Sequence, residues 1–536
     1  MIYKTQIFYL LIIVLFITGC AQFVPPTGGP KDETAPELIK VLPENQTKNF
    51  KGNTVLMEFN ELIDATTLRQ ELIITPEPNG TYNLKSKPYG IELRFDQDFN
   101  DSTTYTFNFR NGVKDLNEKN PAENLKLVFS TGPYIDSLSI KGKVKDLWTN
   151  LPADKVTVAL LDISKPDTIP LLLHKPNYFY NTDTTGNYEF ENIKSSIYRL
   201  IAFTDKNLNL IFDEGSELFG FYPDTIKLDS NITQIDLYVY PYNISPPKIK
   251  RSLSRQTNFS VMLNKDVKDI KVEFIDESDS LTYQIRDKEL LFFNHPPLLD
   301  TTLTKIIVLD SVGNILEHEQ KVYFNQISTT RKDNPQVLRI TNPKIRTGTK
   351  IKLPNEYLLN FEYPITNLDT TKITIVSDTT NNENFKTTWL DPSHTQLKIE
   401  TKATPKREIK LQIESGSISN YRSDTNNTYT LINTLYQQDE LASISGSFDE
   451  FSGNKIIQII DSQTYQIIEQ QNFTDIFNFP SVIPGTYRLR IIEDSNNNGQ
   501  WDTAKFEENL TPERIKVSNG SIKLKANFEL TDVQIN

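Results

Sequence analysis

Two short loops carry the densest oxygen chemistry in the chain. Asp205-x-Asn207-x-Asn209-x3-Asp213 and Asp494-x-Asn496-x-Asn498-Gly499-x2-Asp502 both place side-chain oxygens at positions 1, 3, 5 and 9. At that spacing alternate residues can turn their oxygens onto one hard cation, calcium above all. Gly499 is sixth, where such a loop must bend sharply. Position 12, where a bidentate glutamate belongs, is Ser216 in one loop and Lys505 in the other, so Glu217, Glu507 or Glu508 would have to substitute. The competing reading is an Asn/Asp-rich turn between two strands, its side chains capping backbone amides. An ion here would stiffen the module rather than catalyse, and no cofactor is required.

Elsewhere the chemistry is thin. His174, His295, His318 and His394 lie far apart and show neither HxH nor HExxH spacing, which argues against a zinc site or a serine triad. Nothing marks two of the 69 acidic residues as a glycosidase pair. No glycine-rich phosphate loop follows a strand and opens a helix. Trp148, Trp389 and Trp501 could face sugars, although a lone tryptophan in a β-sandwich more often sits in the core. The residues therefore describe a protein without a catalytic site, an envelope hydrolase being the least favoured reading.

The only cysteine, Cys20, ends the run Leu15-Phe16-Ile17-Thr18-Gly19-Cys20, after Lys4 and an apolar stretch from Ile7 to Ile17. Charged, apolar and small residues in that order form a signal peptide, and the apolar stretch is short of the ~20 residues of a membrane span. The segment resembles the lipobox of a bacterial lipoprotein. That resemblance implies cleavage after residue 19 and acylation of Cys20 by fatty-acyl chains, palmitate included. Each buried CH₂ adds about 0.8 kcal/mol of anchoring. Acylation would leave no free thiol for a disulfide, nucleophile or metal site. Residues 20–34 read as a Pro/Gly-rich tether. Ala21 and Gln22 lack the aspartate that retains such lipoproteins at the inner membrane, so the resemblance points to the outer membrane, at either face. No second run of ~18 apolar residues follows. The net charge of −12 argues against nucleic acid and against electrostatic docking on anionic lipid.

Elements that would position these residues are short strands. Val55, Met57 and Phe59 alternate with mostly polar neighbours, as do Ile91, Leu93 and Phe95, then Tyr105, Phe107 and Phe109, then Leu125, Leu127 and Phe129. Such spacing, broken by Asn, Asp, Gly and Pro, predicts an all-β chain: a tandem array of small antiparallel β-sandwiches with few helices. Residues 35–133 resemble bacterial Ig-like domains, in the lead-in Ala35-Pro36-Glu37, the strand Val55–Asn60 followed by Glu61-Leu62-Ile63-Asp64, and the close at Leu127-Val128-Phe129-Ser130-Thr131-Gly132. Residues 336–440 echo that plan through Leu359–Ile365 and Leu397–Ile399, and 246–335 read as a further Ig-like unit.

The firmest repeat lies elsewhere. Tyr188, Phe190, Ile193, Tyr198-Arg199-Leu200, Asp205, Asn207, Asn209, Asp213, Pro223 and Ile226 recur after a constant 289 residues as Phe477, Phe479, Val482, Tyr487-Arg488-Leu489, Asp494, Asn496, Asn498, Asp502, Pro512 and Ile515. Ile140-Lys141-Gly142 and Ile444-Ser445-Gly446 open the two copies. Residues 136–245 and 441–536 resemble the carboxypeptidase-regulatory or prealbumin-like β-sandwich, in bacteria a spacer or binding unit. End-to-end stacking of five such domains would reach roughly 150 Å.

Asp followed by Ser or Thr and then an aliphatic residue or Thr recurs, at Asp101, Asp136, Asp167, Asp183, Asp224, Asp279, Asp300, Asp310, Asp369, Asp378 and Asp502. It resembles the O-glycosylation signal of exported Bacteroidota proteins, and it is equally what strand-ending turns use. The expectation is an outer-membrane lipoprotein of Bacteroidota type that serves as a structural or adaptor subunit of an envelope complex, its partners being envelope proteins. The alternative is a surface binder of glycans or host surfaces.

Overall fold

The computed structural model describes residues 32–165, 168–276, 280–295, 301–325, 337–353, 356–378, 381–402 and 407–535. Cys20, its signal segment and most of the tether lie outside them, as do Asp167, Asp279 and Asp300. The described chain is almost wholly β: besides short 3-10 turns, its helix is the four-residue Leu68–Glu71. No helix among the described residues is long and apolar enough to cross a membrane.

Side-chain alternation builds the cores. In Thr54–Phe59, Val55, Met57 and Phe59 point inward between more exposed neighbours. That strand lies between Leu38–Leu42 and Gly90–Phe95 in a four-stranded sheet closed by Tyr82–Lys87. Against it packs the three-stranded sheet Ile73–Thr75, Thr104–Asn108 and Lys126–Ser130. Phe99 knits the two layers, its ring 4.8 Å from Tyr105 and 5.1 Å from Phe129.

The 289-residue repeat has a common topology. Leu138–Asp146 pairs antiparallel with Asn187–Ile193 and parallel with Leu237–Pro241. Ala442–Ser447 pairs in the same senses with Ile476–Val482 and Glu529–Gln534. Both opening strands need glycine for a close approach: a Cβ on Gly142 would lie 1.8 Å from the Ile235 carbonyl oxygen, and one on Gly446 2.2 Å from that of Val533. The repeated tyrosines also match, Tyr198 Oη donating to Lys194 O at 2.8 Å and Tyr487 Oη to Ile483 O at 2.7 Å. Between the copies stand two further modules, one of two sheets with a core around Phe259, Phe292 and Val308 and one of three sheets with a core around Tyr357, Leu397 and Leu411.

A sixth apolar cluster belongs to no single module. It joins Leu147, Ala159, Leu161, Ile201, Phe203, Phe219 and Phe221 to Ala504 and Phe506. The C-terminal copy therefore folds back on its counterpart, and the end-to-end rod is overturned. Successive modules are also tied. Lys265 Nζ donates to the carbonyls of Asn243 and Ser245 and pairs with buried Asp310 at 2.9 Å. Tyr421 Oη donates to Thr257 O at 3.2 Å, and Lys352 Nζ meets Glu469 at 2.7 Å. From residue 136 onward the chain forms a closed circuit. The first module is joined to it through Lys126–Glu191 (2.7 Å) and Lys175–Glu77 (3.0 Å).

Candidate functional site

The site with the most structure is this closure. Strand Thr157–Asp162 is buried on both faces. Val158 and Leu160 fill its own sandwich, while Ala159 and Leu161 turn outward to the shared cluster. The run Val156-Thr157-Val158-Ala159-Leu160-Leu161 carries that message, because a strand covered on both sides loses its polar alternation. Lys455-Ile456-Ile457-Gln458-Ile459-Ile460 in the second copy reads the same way and is buried throughout.

Aromatic rings and two arginines complete the contact. Trp148 and Trp501 meet edge to face at 5.0 Å. Both tryptophans thus serve packing, as does Trp389, which stacks on His394 at 4.8 Å. Arg490 lies over the Trp148 ring at 4.8 Å, and it donates to Trp148 O at 3.1 Å and to Gln458 Oε1 at 2.7 Å. Burial pulls its guanidinium down to about 10, still charged at neutral pH. Arg199 lies between the rings of Phe221 and Phe506 and donates to Asn509 Oδ1, while its Nε and Nη2 have no partner.

The two oxygen-rich loops sit beside the closure. Residues 215–217 of one and 500–502 of the other line a common cleft of about 390 Å³, with Lys265 and Lys288 of the intervening module on its wall. Each loop satisfies itself. Asp205 accepts the amides of Asn209 (3.0 Å) and Leu210 (3.0 Å), and Asn207 Nδ2 donates to Asp213 at 2.6 Å. In the second loop Asp494 accepts the amides of Asn498 (2.9 Å) and Gly499 (3.0 Å), and both Asn496 and Asn498 donate to Asp502. Among the described residues no three His, Cys, Asp or Glu stand close enough to hold a metal.

A glutamate braces each loop, and the two come from different places in the repeat. Glu217 accepts the amides of Lys206 (2.6 Å) and Asp213 (3.0 Å). Glu513 accepts those of Ser495 (2.8 Å) and Asp502 (3.0 Å). The constant offset pairs Glu217 with Phe506 and Glu513 with Asp224, so sequence alignment of the copies hides the shared role. Glu507 and Glu508, the residues suggested by proximity, stand in the turn Phe506–Glu508 and are exposed.

The remaining sites scatter. His295 stacks on Tyr421 at 4.9 Å, His174 Nε2 lies 3.2 Å from Ile169 O, and His318 lies in strand Ile315–Val322. Several Asp-Ser/Thr sites do turn chemistry: Asp183 accepts the amides of Thr185 and Asn187, and Asp310 those of Val312 and Asn314.

Architecture and site together define a tandem β-sandwich protein with an intramolecular closure. Residues 32–131 match the family model described as bacterial Ig-like domain. No curated protein matches the chain. Among solved structures, domains 1–6 of the surface layer protein SbsC align at 10% identity and a TM-score of 0.18, covering 92% of this chain and 68% of that one. The Bacteroides ovatus protein SGBP-B of a mixed-linkage glucan utilization locus, in complex with a heptasaccharide, aligns at 10% identity and a TM-score of 0.16, covering 66% and 86%. An L,D-transpeptidase from Mycobacterium smegmatis aligns at 14% identity and a TM-score of 0.15, covering 31% and 76%. None of these scores supports a common overall architecture.

Proposed function

We propose that the chain is a non-catalytic adaptor of the outer membrane, anchored by acylated Cys20 and holding envelope proteins in a fixed arrangement. The observation that carries this reading is the sixth core. Modules joined by a buried apolar contact between positions hundreds of residues apart move as one body, and a rigid body can present several faces in constant relation. Edge strand Leu38–Leu42, with Ile39 and Leu42 exposed, offers unpaired backbone of the kind a partner strand can extend. In this reading the loops of Asp205, Asn207, Asn209 and Asp213 and of Asp494, Asn496, Asn498 and Asp502 take structural calcium once their asparagine amides turn their oxygens inward. A calcium-dependent rise in the melting temperature of the full chain, abolished by Asp494→Ala, tests that part.

Affinity purification of the tagged full-length protein from detergent-solubilised outer membranes tests the whole. A stoichiometric set of barrel proteins or lipoproteins is the expected result, and recovery of the chain alone overturns it. Cys20→Ala should release the protein from the membrane fraction; undiminished membrane retention would refute the lipid anchor.

A further inference from the structure

The closure leaves an open cleft along its rim, and this cleft has the composition of a binding site. It encloses about 470 Å³ between the two repeat copies. That volume falls in the ~300–1,000 Å³ range of small-ligand sites, which combine apolar walls with a few placed polar groups. The repeat supplies both walls from equivalent positions, Pro223 on one side and Pro512 on the other. Tyr222 and Tyr238 stand on the first wall. Tyr238 is 40% exposed, an aromatic face left open in a region where Phe221, Tyr240 and Phe451 are buried.

Polar groups ring that face. Lys516 reaches Glu450 at 2.9 Å. Asp236 accepts the Lys143 amide at 3.0 Å and the Gln234 side-chain amide at 3.5 Å, and a carboxylate so bonded keeps further lone pairs. Both lining cations already carry a carboxylate partner, Arg514 with Glu493 at 2.7 Å and Lys516 with Glu450 at 2.9 Å, so neither is spare for a polyanion.

We propose that this cleft binds a neutral oligosaccharide, a pyranose ring stacking its C–H face on Tyr238 while its hydroxyls bridge Asp236, Glu450 and Lys516. The choice of a sugar follows from the acceptors. The exposed rim carboxylates of Asp236 and Glu450 keep acceptor capacity for a ligand, and hydroxyls supply donors all round a sugar ring. A proline-rich segment would suit the aromatic wall but has few N–H groups to offer. This inference stands apart from the adaptor reading, since it needs only the cleft and not a protein partner.

Titration calorimetry of the full-length protein in detergent tests it. The probes are cellohexaose, xylohexaose, maltohexaose and laminarihexaose, with a decaproline peptide as the rival. At least one hexaose should bind with a dissociation constant of about millimolar or tighter, and Tyr238→Ala should weaken it about tenfold. Lys516→Ala provides a second variant should Tyr238→Ala fail to fold. Tyr134→Ala, an exposed tyrosine outside the cleft, should leave binding unchanged. Absence of binding by all four sugars overturns the proposal. So does binding that survives Tyr238→Ala or Lys516→Ala, or binding of decaproline alone.

Discussion

Phe506→Ala is the sharpest probe of the closure. Phe506 belongs to the C-terminal copy, yet its ring packs on the other copy, 5.6 Å from Phe219, 5.1 Å from Phe221 and 4.7 Å from the Arg199 guanidinium. It is 3% exposed. Complete burial of such a side chain contributes ~1.5–3 kcal/mol, and each edge-to-face pair adds ~0.5–1.5 kcal/mol. Truncating a buried phenylalanine costs ~3–5 kcal/mol in general. The residue sits in a single short turn that can settle into the gap, so a loss of ~3 kcal/mol is expected, at the low end of that range. Urea unfolding followed by tryptophan fluorescence reads it directly, because Trp148 and Trp501 flank the contact; Trp389→Phe silences the third tryptophan. The first transition should move to lower urea, and both copies should become more sensitive to protease. Ile476→Ala, at a 73% exposed position, should stay within ~0.5 kcal/mol. A loss for Phe506→Ala below ~1 kcal/mol would show that the two copies do not support one another.

Glu513→Gln should lower stability by ~1 kcal/mol, since it replaces a charged acceptor of two part-buried loop amides; an unchanged denaturation midpoint would show that the brace is dispensable. Arg199→Met should be neutral or stabilising by about 1 kcal/mol, because two guanidinium donors are buried without partners while the aliphatic stem can still pack. A clear drop in melting temperature would instead assign the charge a stabilising role. The amide and hydroxyl of Thr66, with the Lys119 ammonium, hold the Asp64 carboxyl down at about 2. Its contribution is therefore complete above the unfolded value of about 4 and is lost as the pH falls toward 2. Asp64→Asn should flatten the fall in stability across that window, and an identical pH profile would refute the assignment.

Much of this protein is local information. The all-β class is written in period-two alternation such as Val55, Met57 and Phe59, because strand geometry sends successive side chains to opposite faces. The kinship of the two repeat copies is written in one constant offset, with Gly142 and Gly446 at matching close approaches and Tyr198 and Tyr487 making matching hydrogen bonds. Val156–Leu161 and Ile456–Ile460 are largely apolar on both faces, the local mark of a strand that something must cover. What covers them was decided by the tertiary fold. Arg199 and Asn509 meet across 310 residues, and no local pattern specifies which buried face finds which. The loop braces show the same divide. Glu217 and Glu513 reach equivalent amides from non-equivalent positions, since a hydrogen bond is satisfied by where an oxygen lies in space and not by its place in the chain.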